Sequence, residues 1–173
     1  MSEWIFSMNG RFRTSLSERG RTDGEVLSEL LCRIDGRKRY ALCLWRVPDG
    51  SSLNPRELSK EPNEYIQVAG TRDRFTVEVS RMVGAVRQQF VVGISEEPAG
   101  QTKEVIYWEN YSTDVFSNEV FTLSQVKAIF DAYLESGEVP SGYSQRPLDV
   151  RGTRRVGGEP GLDQVQRVCC RSG

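Results

Sequence analysis

Acidic side chains recur through residues 96–119, around an apolar strand and just before a helix with strong capping signals. Two carboxylates in unequal environments across a cleft can act as general acid and base. On an exposed surface the same groups form a solvated acidic rim, and beside aromatic residues they form a docking surface for a basic protein. The series consists of Glu96, Glu97, Glu104, Glu109, Asp114 and Glu119.

The sequence offers little for catalysis beyond these carboxylates. It contains no histidine, the commonest base beside a serine or cysteine nucleophile. It also lacks glycine-rich phosphate loops, the GxSxG turn of hydrolases and the HExxH helix of metalloproteases. The four cysteines form no CxxC pair, which argues against a structural zinc site. We therefore expect a protein that is not an enzyme and that uses no cofactor and no metal.

Negative charge is concentrated in the middle of the chain. Residues 92–150 contain 10 acidic and 3 basic side chains (−7), while residues 1–91 and 151–173 each carry +3, which gives the overall −1. A net charge this close to zero argues against nucleic acid as a partner. Because opposite potentials attract across interfaces, a charged partner of the middle segment should be a protein with a basic surface.

Aromatic residues accompany the acids around residues 104–119. Buried aromatic anchors often dominate the binding energy of an interface. Trp108 lies at the end of the strand EVIYWE, and Tyr111 lies in the polar segment NYSTDVFSNEVF, which we interpret as a loop. The residues predicted to bind the partner are Glu104, Trp108, Glu109, Tyr111, Asp114 and Glu119.

Two helices are predicted from capping boxes, in which Thr22 precedes Glu25 and Thr122 precedes Gln125 by three residues. The first helix should cover about residues 23–34 and the second residues 123–136, followed by a glycine stop at Gly137. Apolar residues fall on one face of each helix: Val26, Leu27, Leu30, Leu31 and Ile34 in the first, and Val126, Ile129, Phe130 and Tyr133 in the second.

The remaining pattern is that of strands. Residues 40–47 are apolar on both faces and predict a central strand, and residues 64–93 predict a meander of three strands. In its second strand, Phe75, Val77 and Val79 should face the core, and Thr76, Glu78 and Ser80 should face solvent. Strands in series with helices at the ends indicate an α+β fold, with a largely antiparallel five- or six-stranded sheet and two helices packed on one face.

Composition also predicts the domain boundaries and the compartment. Residues 1–149 should form a single α+β domain with a long loop at 48–63, and residues 150–173 form a Gly/Arg-rich C-terminal tail. No stretch approaches the roughly 18 consecutive apolar residues of a membrane span. Together with the sparse cysteines, this predicts a cytoplasmic protein without a membrane partner.

The order of elements resembles a known family. A meander, the strand EVIYWE, a polar segment and the helix FTLSQVKAIFDAYLESGEVP are similar to bacterial immunity proteins of polymorphic toxin systems, over about residues 40–148. Within that family the helix with a Gly-x-x-Pro-like stop marks a group often paired with deaminase or nuclease toxins of contact-dependent or type VI secretion. The resemblance implies an inhibitor that binds a cognate toxin and blocks its active site.

Two alternatives stay open from the residues alone. A small-ligand or regulatory domain would enclose a pocket lined by Trp45, Tyr65 or Trp108. An enzyme that uses carboxylates alone would need two inward-facing acids about 5 to 9 Å apart in a cleft. The sequence does not indicate the oligomeric state.

Overall fold

The computed structural model describes residues 3–48, 54, 62–94 and 102–148, and the backbone of residues 153–155. The two helices are α1 (Asp23–Cys32) and α2 (Leu123–Ser136). The strands of the first half are β1 (Glu3–Met8), β2 (Phe12–Ser15), β3 (Ala41–Val47), β4 (Tyr65–Gly70) and β5 (Phe75–Val83). Those of the second half are β6 (Val86–Gly93), β7 (Lys103–Trp108), β8 (Tyr111–Phe116), β9 (Ser144–Pro147) and β10 (Thr153–Arg155).

The strands form two antiparallel sheets. Seven strands make the main sheet in the order β2-β1-β3-β4-β5-β6-β9, and three make a small sheet in the order β10-β8-β7. The predicted α+β class is confirmed. The predicted number of strands is too low, because β2 and β9 extend the main sheet at its edges and β7 belongs to the small sheet.

Both predicted helices are confirmed, together with their caps. The Thr22 hydroxyl accepts from the Glu25 amide and the Thr122 hydroxyl accepts from the Gln125 amide, and in each box the second side chain returns to the capping residue's amide. Helix α2 ends at Gly137, whose φ of 76° is the left-handed conformation that glycine adopts without strain.

Both helices pack on one face of the main sheet and form the principal core with it. On that face the inward residues of β5 are those predicted, Phe75, Val77 and Val79. The opposite face is covered in part by the small sheet, where Ile106 and Trp108 of β7 and Val115 of β8 cluster with residues of the main sheet. The main sheet is thus a middle layer with elements on both faces.

This arrangement overturns the prediction of a solvent-facing side of β5. Thr76, Glu78 and Ser80 are 1%, 5% and 1% exposed. Polar and apolar residues alternate along β5 as the sequence predicted. The face that carries the polar residues, however, is buried inside the protein. The reason is non-local, because the covering elements come from much later in the chain.

Little of the predicted loop at 48–63 and of the tail at 150–173 falls within the described residues. The described part of the tail is β10, whose residues Thr153, Arg154 and Arg155 pair with Thr113, Ser112 and Tyr111 of β8. Among the described residues no helix is long and apolar enough to cross a membrane.

Candidate functional site

The segment predicted as a recognition loop is a strand. Tyr111–Phe116 forms β8 and pairs antiparallel with β7 through the two-residue turn at Glu109 and Asn110. The interpretation of residues 110–121 as a loop is therefore wrong, because residues 111–116 form a strand. A signal for the strand was present, because Thr113 and Val115 recur at a spacing of two and are β-branched.

Two of the six predicted partner-binding residues are buried and cannot contact another protein on this surface. Trp108 is 4% exposed and packs under the small sheet with Ile106 and Val115. Glu119 is 2% exposed and lies in the short 3₁₀ turn Ser117–Glu119 that follows β8. The prediction that Trp108 and Glu119 belong to an exposed docking loop is therefore wrong, because both side chains are buried.

The other four residues lie on different sides of the β7–β8 hairpin. Glu104 and Tyr111 are half-buried on its inner side, Asp114 is half-buried on its outer side, and Glu109 lies exposed in the turn with a positive φ of 49°. The outer side also exposes Tyr107 beside Asp114. The hairpin therefore does not bring the six residues together on one surface, and a docking role for its exposed members stays a prediction.

Arginines neutralise two of the hairpin's carboxylates. Glu104 forms an ion pair with Arg74 of the β4–β5 turn, and Glu109 pairs with Arg11 at 3.5 Å. An acid that already has a cationic neighbour attracts a basic partner less strongly. The concentration of acids counted in the sequence thus overstates the negative potential around this hairpin.

A buried polar cluster lies between the two sheets, centred on Glu78 of β5. The side-chain amides of Gln67 and Gln89 both donate to its Oε2, the second at 3.2 Å. Burial raises the pKa of Glu78 to about 7, and the nearby Glu119 carboxylate adds to the rise. The two amides and Arg146 oppose the rise.

Glu119 is held by Arg146 of β9 in a two-point ion pair. The guanidinium donates from Nε to Oε1 at 2.6 Å and from its terminal nitrogen to Oε2 at 2.8 Å, while Oε2 also accepts from the Phe116 amide at 2.8 Å. The guanidinium also lies over the Phe116 ring. Neither Glu78 nor Glu119 lines either of the two pockets described below. The cluster therefore fastens the 3₁₀ turn to the main sheet.

A second set of carboxylates surrounds the C-terminal half of α2, and we call it the α2 acidic surface. Asp131, Glu135 and Glu138 are exposed there and form no ion pair with any described residue. The last turn of α2 contains no basic residue. The set consists of Glu25 and Glu29 of α1, Glu64 before β4, and Asp131, Glu135 and Glu138. Glu29 contributes less negative potential than the others, because it forms ion pairs with Arg21 and Arg33.

Two concavities open on this surface. The interhelical groove, about 670 Å³ and wide open, lies between α1 and α2 and is lined by Glu25, Glu29, Asp131 and Glu135 among others. The C-terminal pocket, about 290 Å³ and more enclosed, lies at the end of α2 and is lined by residues that include Glu64, Arg81, Met82, Tyr133, Glu138 and Gln145.

The aromatic residues proposed for a small-ligand pocket do not line these concavities. Trp45 and Tyr65 are 6% and 1% exposed and pack with Ile5 and Cys43 on the sheet face opposite the helices. Trp108 is buried beside Ile106. Among the described residues, the lining of the two concavities does not include Trp45, Tyr65 or Trp108.

Neither a protein-family model nor a curated protein matches this chain. The candidate site therefore rests on the geometry alone. Sequence reasoning missed the α2 acidic surface because it weighed the acids before the helix and not those at its end. The available signal was Glu135 and Glu138 beside a helix C-terminus without a basic residue, where the helix dipole disfavours negative charge.

Proposed function

We propose that this protein is an immunity protein that binds a cognate secreted bacterial toxin and neutralises it by covering its active site. The resemblance of residues 40–148 to such proteins supports the proposal, and the α+β architecture with a late capped helix agrees with it. Binding needs no turnover and no cofactor, which suits a chain without a recognisable catalytic motif.

The observation that carries the proposal is the α2 acidic surface. Carboxylates near a helix C-terminus are repelled by the partial negative charge of the helix end, so this arrangement costs folding stability. Side chains that lower folding stability in this way are expected at functional sites, such as a site that binds a partner. A basic partner would remove the repulsion, and the surface therefore favours a cationic protein over a neutral ligand.

The geometry of the surface also suits a protein partner. The interhelical groove is wide open to solvent, as expected for a site that receives a segment of another chain. Toxins that act on nucleic acid carry basic grooves for a polyanion, and carboxylates can occupy such a groove in its place. In this proposal the groove and the end of α2 face the toxin's active site.

Complex formation with the product of the adjacent gene tests the proposal. We expect the two proteins to co-purify after co-expression, and we expect this protein to restore the growth of cells that produce the neighbour alone. The affinity of the complex should fall as the salt concentration is raised, because the interaction between exposed charges is screened over about 10 Å at 0.1 M salt. A neighbour that is not toxic and forms no complex would refute the proposal.

A further inference from the structure

The C-terminal pocket is lined by a tyrosine whose hydroxyl forms no hydrogen bond with any described residue. Tyr133 is 4% exposed, and its ring packs against that of Trp4 with the centroids 5.9 Å apart. The hydroxyl is not among the buried, unsatisfied polar atoms of the described residues, so it is accessible to solvent. Because Tyr133 lines the pocket, the hydroxyl is available to a ligand that enters there.

Glu64 lines the same pocket as this hydroxyl. Burial, and after it the negative charge of Glu64, raise the pKa of Tyr133 to about 12. The phenol thus stays protonated and lies within the electrostatic influence of a carboxylate that also lines the pocket. The Glu64 carboxylate itself accepts only a long contact of 3.5 Å, from the Met82 amide.

Charge in the pocket favours a cation. Glu64 and Glu138 contribute two carboxylates, and the C-terminal end of α2 adds its partial negative charge. The one cation among the lining residues is Arg81, whose guanidinium donates to Gln145 at 2.7 Å and lies 4.5 Å from the Phe90 ring centroid. Arg81 is thus held by Gln145 and Phe90 and forms no ion pair with Glu64 or Glu138.

The size of the pocket limits the ligand. A volume of about 290 Å³ is at the lower end of the range for small-molecule sites, which begins near 300 Å³. A single long side chain fits such a space. Met82 provides apolar surface for a methylene stem, and the Tyr133 hydroxyl and the carboxylates provide acceptors for a charged head group.

We propose that the C-terminal pocket receives one arginine side chain of the partner, with its guanidinium between Glu64, Glu138 and the Tyr133 hydroxyl. This inference rests on the proposed function and specifies the anchor of the same interface. Arginine fits better than lysine because its planar group presents five donors to several acceptors at once. Anchors of this kind commonly dominate the energy of an interface.

The test uses N-acetyl-arginine methylamide as the probe, titrated into the isotope-labelled full chain by NMR. We expect shifts at residues around Tyr133, Met82 and Glu138 and millimolar affinity, which is usual for a fragment. The citrulline analogue, a neutral probe of the same shape, should bind at least about fivefold more weakly. Equal affinity for both probes would overturn the proposal, as would shifts confined to the interhelical groove.

Variants separate the pocket from general attraction to an acidic protein. Glu64→Gln should weaken probe binding about fivefold, whereas Asp131→Asn, which removes an exposed acid outside the pocket, should change it little. Tyr133→Phe should weaken binding about threefold without lowering the unfolding temperature, because the hydroxyl forms no hydrogen bond with a described residue that the substitution could break. If Asp131→Asn and Glu64→Gln have equal effects, the pocket is not the site.

The two proposals fail in different ways. If the toxin binds but the arginine probe does not, the pocket assignment is wrong and the proposed function stands. If the probe binds in the pocket but the adjacent gene product neither binds nor harms cells, the proposed function is wrong.

Discussion

Glu78→Gln should stabilise the protein by about 3 kcal/mol near pH 8.5 and by less than about 1 kcal/mol near pH 5. The pKa of Glu78 is about 7 in the folded protein against 4.5 for the free side chain. Between these values the folded state holds a proton that the unfolded state has lost, so stability falls as the pH rises from 4.5 through 7. Glutamine keeps the oxygen that accepts from Gln67 and Gln89 and carries no charge.

Urea unfolding of wild type and variant at the two pH values measures this effect. Glu109→Gln is the matched control, because it makes the same substitution at an exposed turn position whose surface ion pair with Arg11 is worth less than about 1 kcal/mol, and it should change stability little at either pH. A Glu78→Gln variant that is less stable than wild type near pH 8.5 would show that the buried carboxylate is stabilised by its surroundings, against our account.

Arg146→Ala should destabilise the protein by about 3 kcal/mol, because it leaves the Glu119 carboxylate buried without its guanidinium. Arg72→Ala is the control, since Arg72 is exposed in the β4–β5 turn and should cost less than about 0.5 kcal/mol.

A second substitution distinguishes the buried charge from lost packing. Glu119→Gln combined with Arg146→Ala should be more stable than Arg146→Ala alone, because no charge remains buried and the amide oxygen can still accept from the Phe116 amide. Chemical denaturation of the single and double variants provides the comparison. A double variant as unstable as Arg146→Ala would indicate that Arg146 acts through its packing on Phe116.

Local signals in the sequence were sufficient to predict the helices and the inward face of β5. The capping boxes at Thr22 and Thr122 depend on side chains three residues apart, and a period of two identifies Phe75 as inward. Such features require no knowledge of distant contacts.

The buried position of Glu78 could not be predicted from the same pattern. A polar residue every second position indicates a polar face, but only the folding of β7, β8 and the 3₁₀ turn over that face decides that it is buried. The pairing of Glu119 with Arg146, 27 residues later, is equally non-local. The same packing explains why Trp108 and Glu119, which were predicted to bind the partner, are buried.

The α2 acidic surface was predictable in part. The sequence shows Glu135 and Glu138 beside the helix stop, against the usual preference for basic residues there. What the sequence could not show is that Glu64, 71 positions before Glu135, reaches the same end of α2, or that Glu25 and Glu29 of α1 line the adjoining groove. The surface is assembled by packing of α1 and α2 on one sheet.

The most direct test of the toxin-binding surface is the affinity of the adjacent gene product for two charge-reversal variants, measured by calorimetry. One variant combines Glu135→Lys with Glu138→Lys on the α2 acidic surface. The other combines Glu109→Lys with Asp73→Lys, both exposed and outside that surface, with the same change in net charge. Lysine at the end of α2 should not lower stability, because it complements the helix dipole.

We expect the α2 variant to bind at least about thirtyfold more weakly than wild type, which corresponds to about 2 kcal/mol, and the Glu109/Asp73 variant to bind within about threefold of wild type. Full affinity in the α2 variant would contradict this account, and weak binding in the Glu109/Asp73 variant would then place the toxin beside the β4–β5 turn and the β7–β8 hairpin.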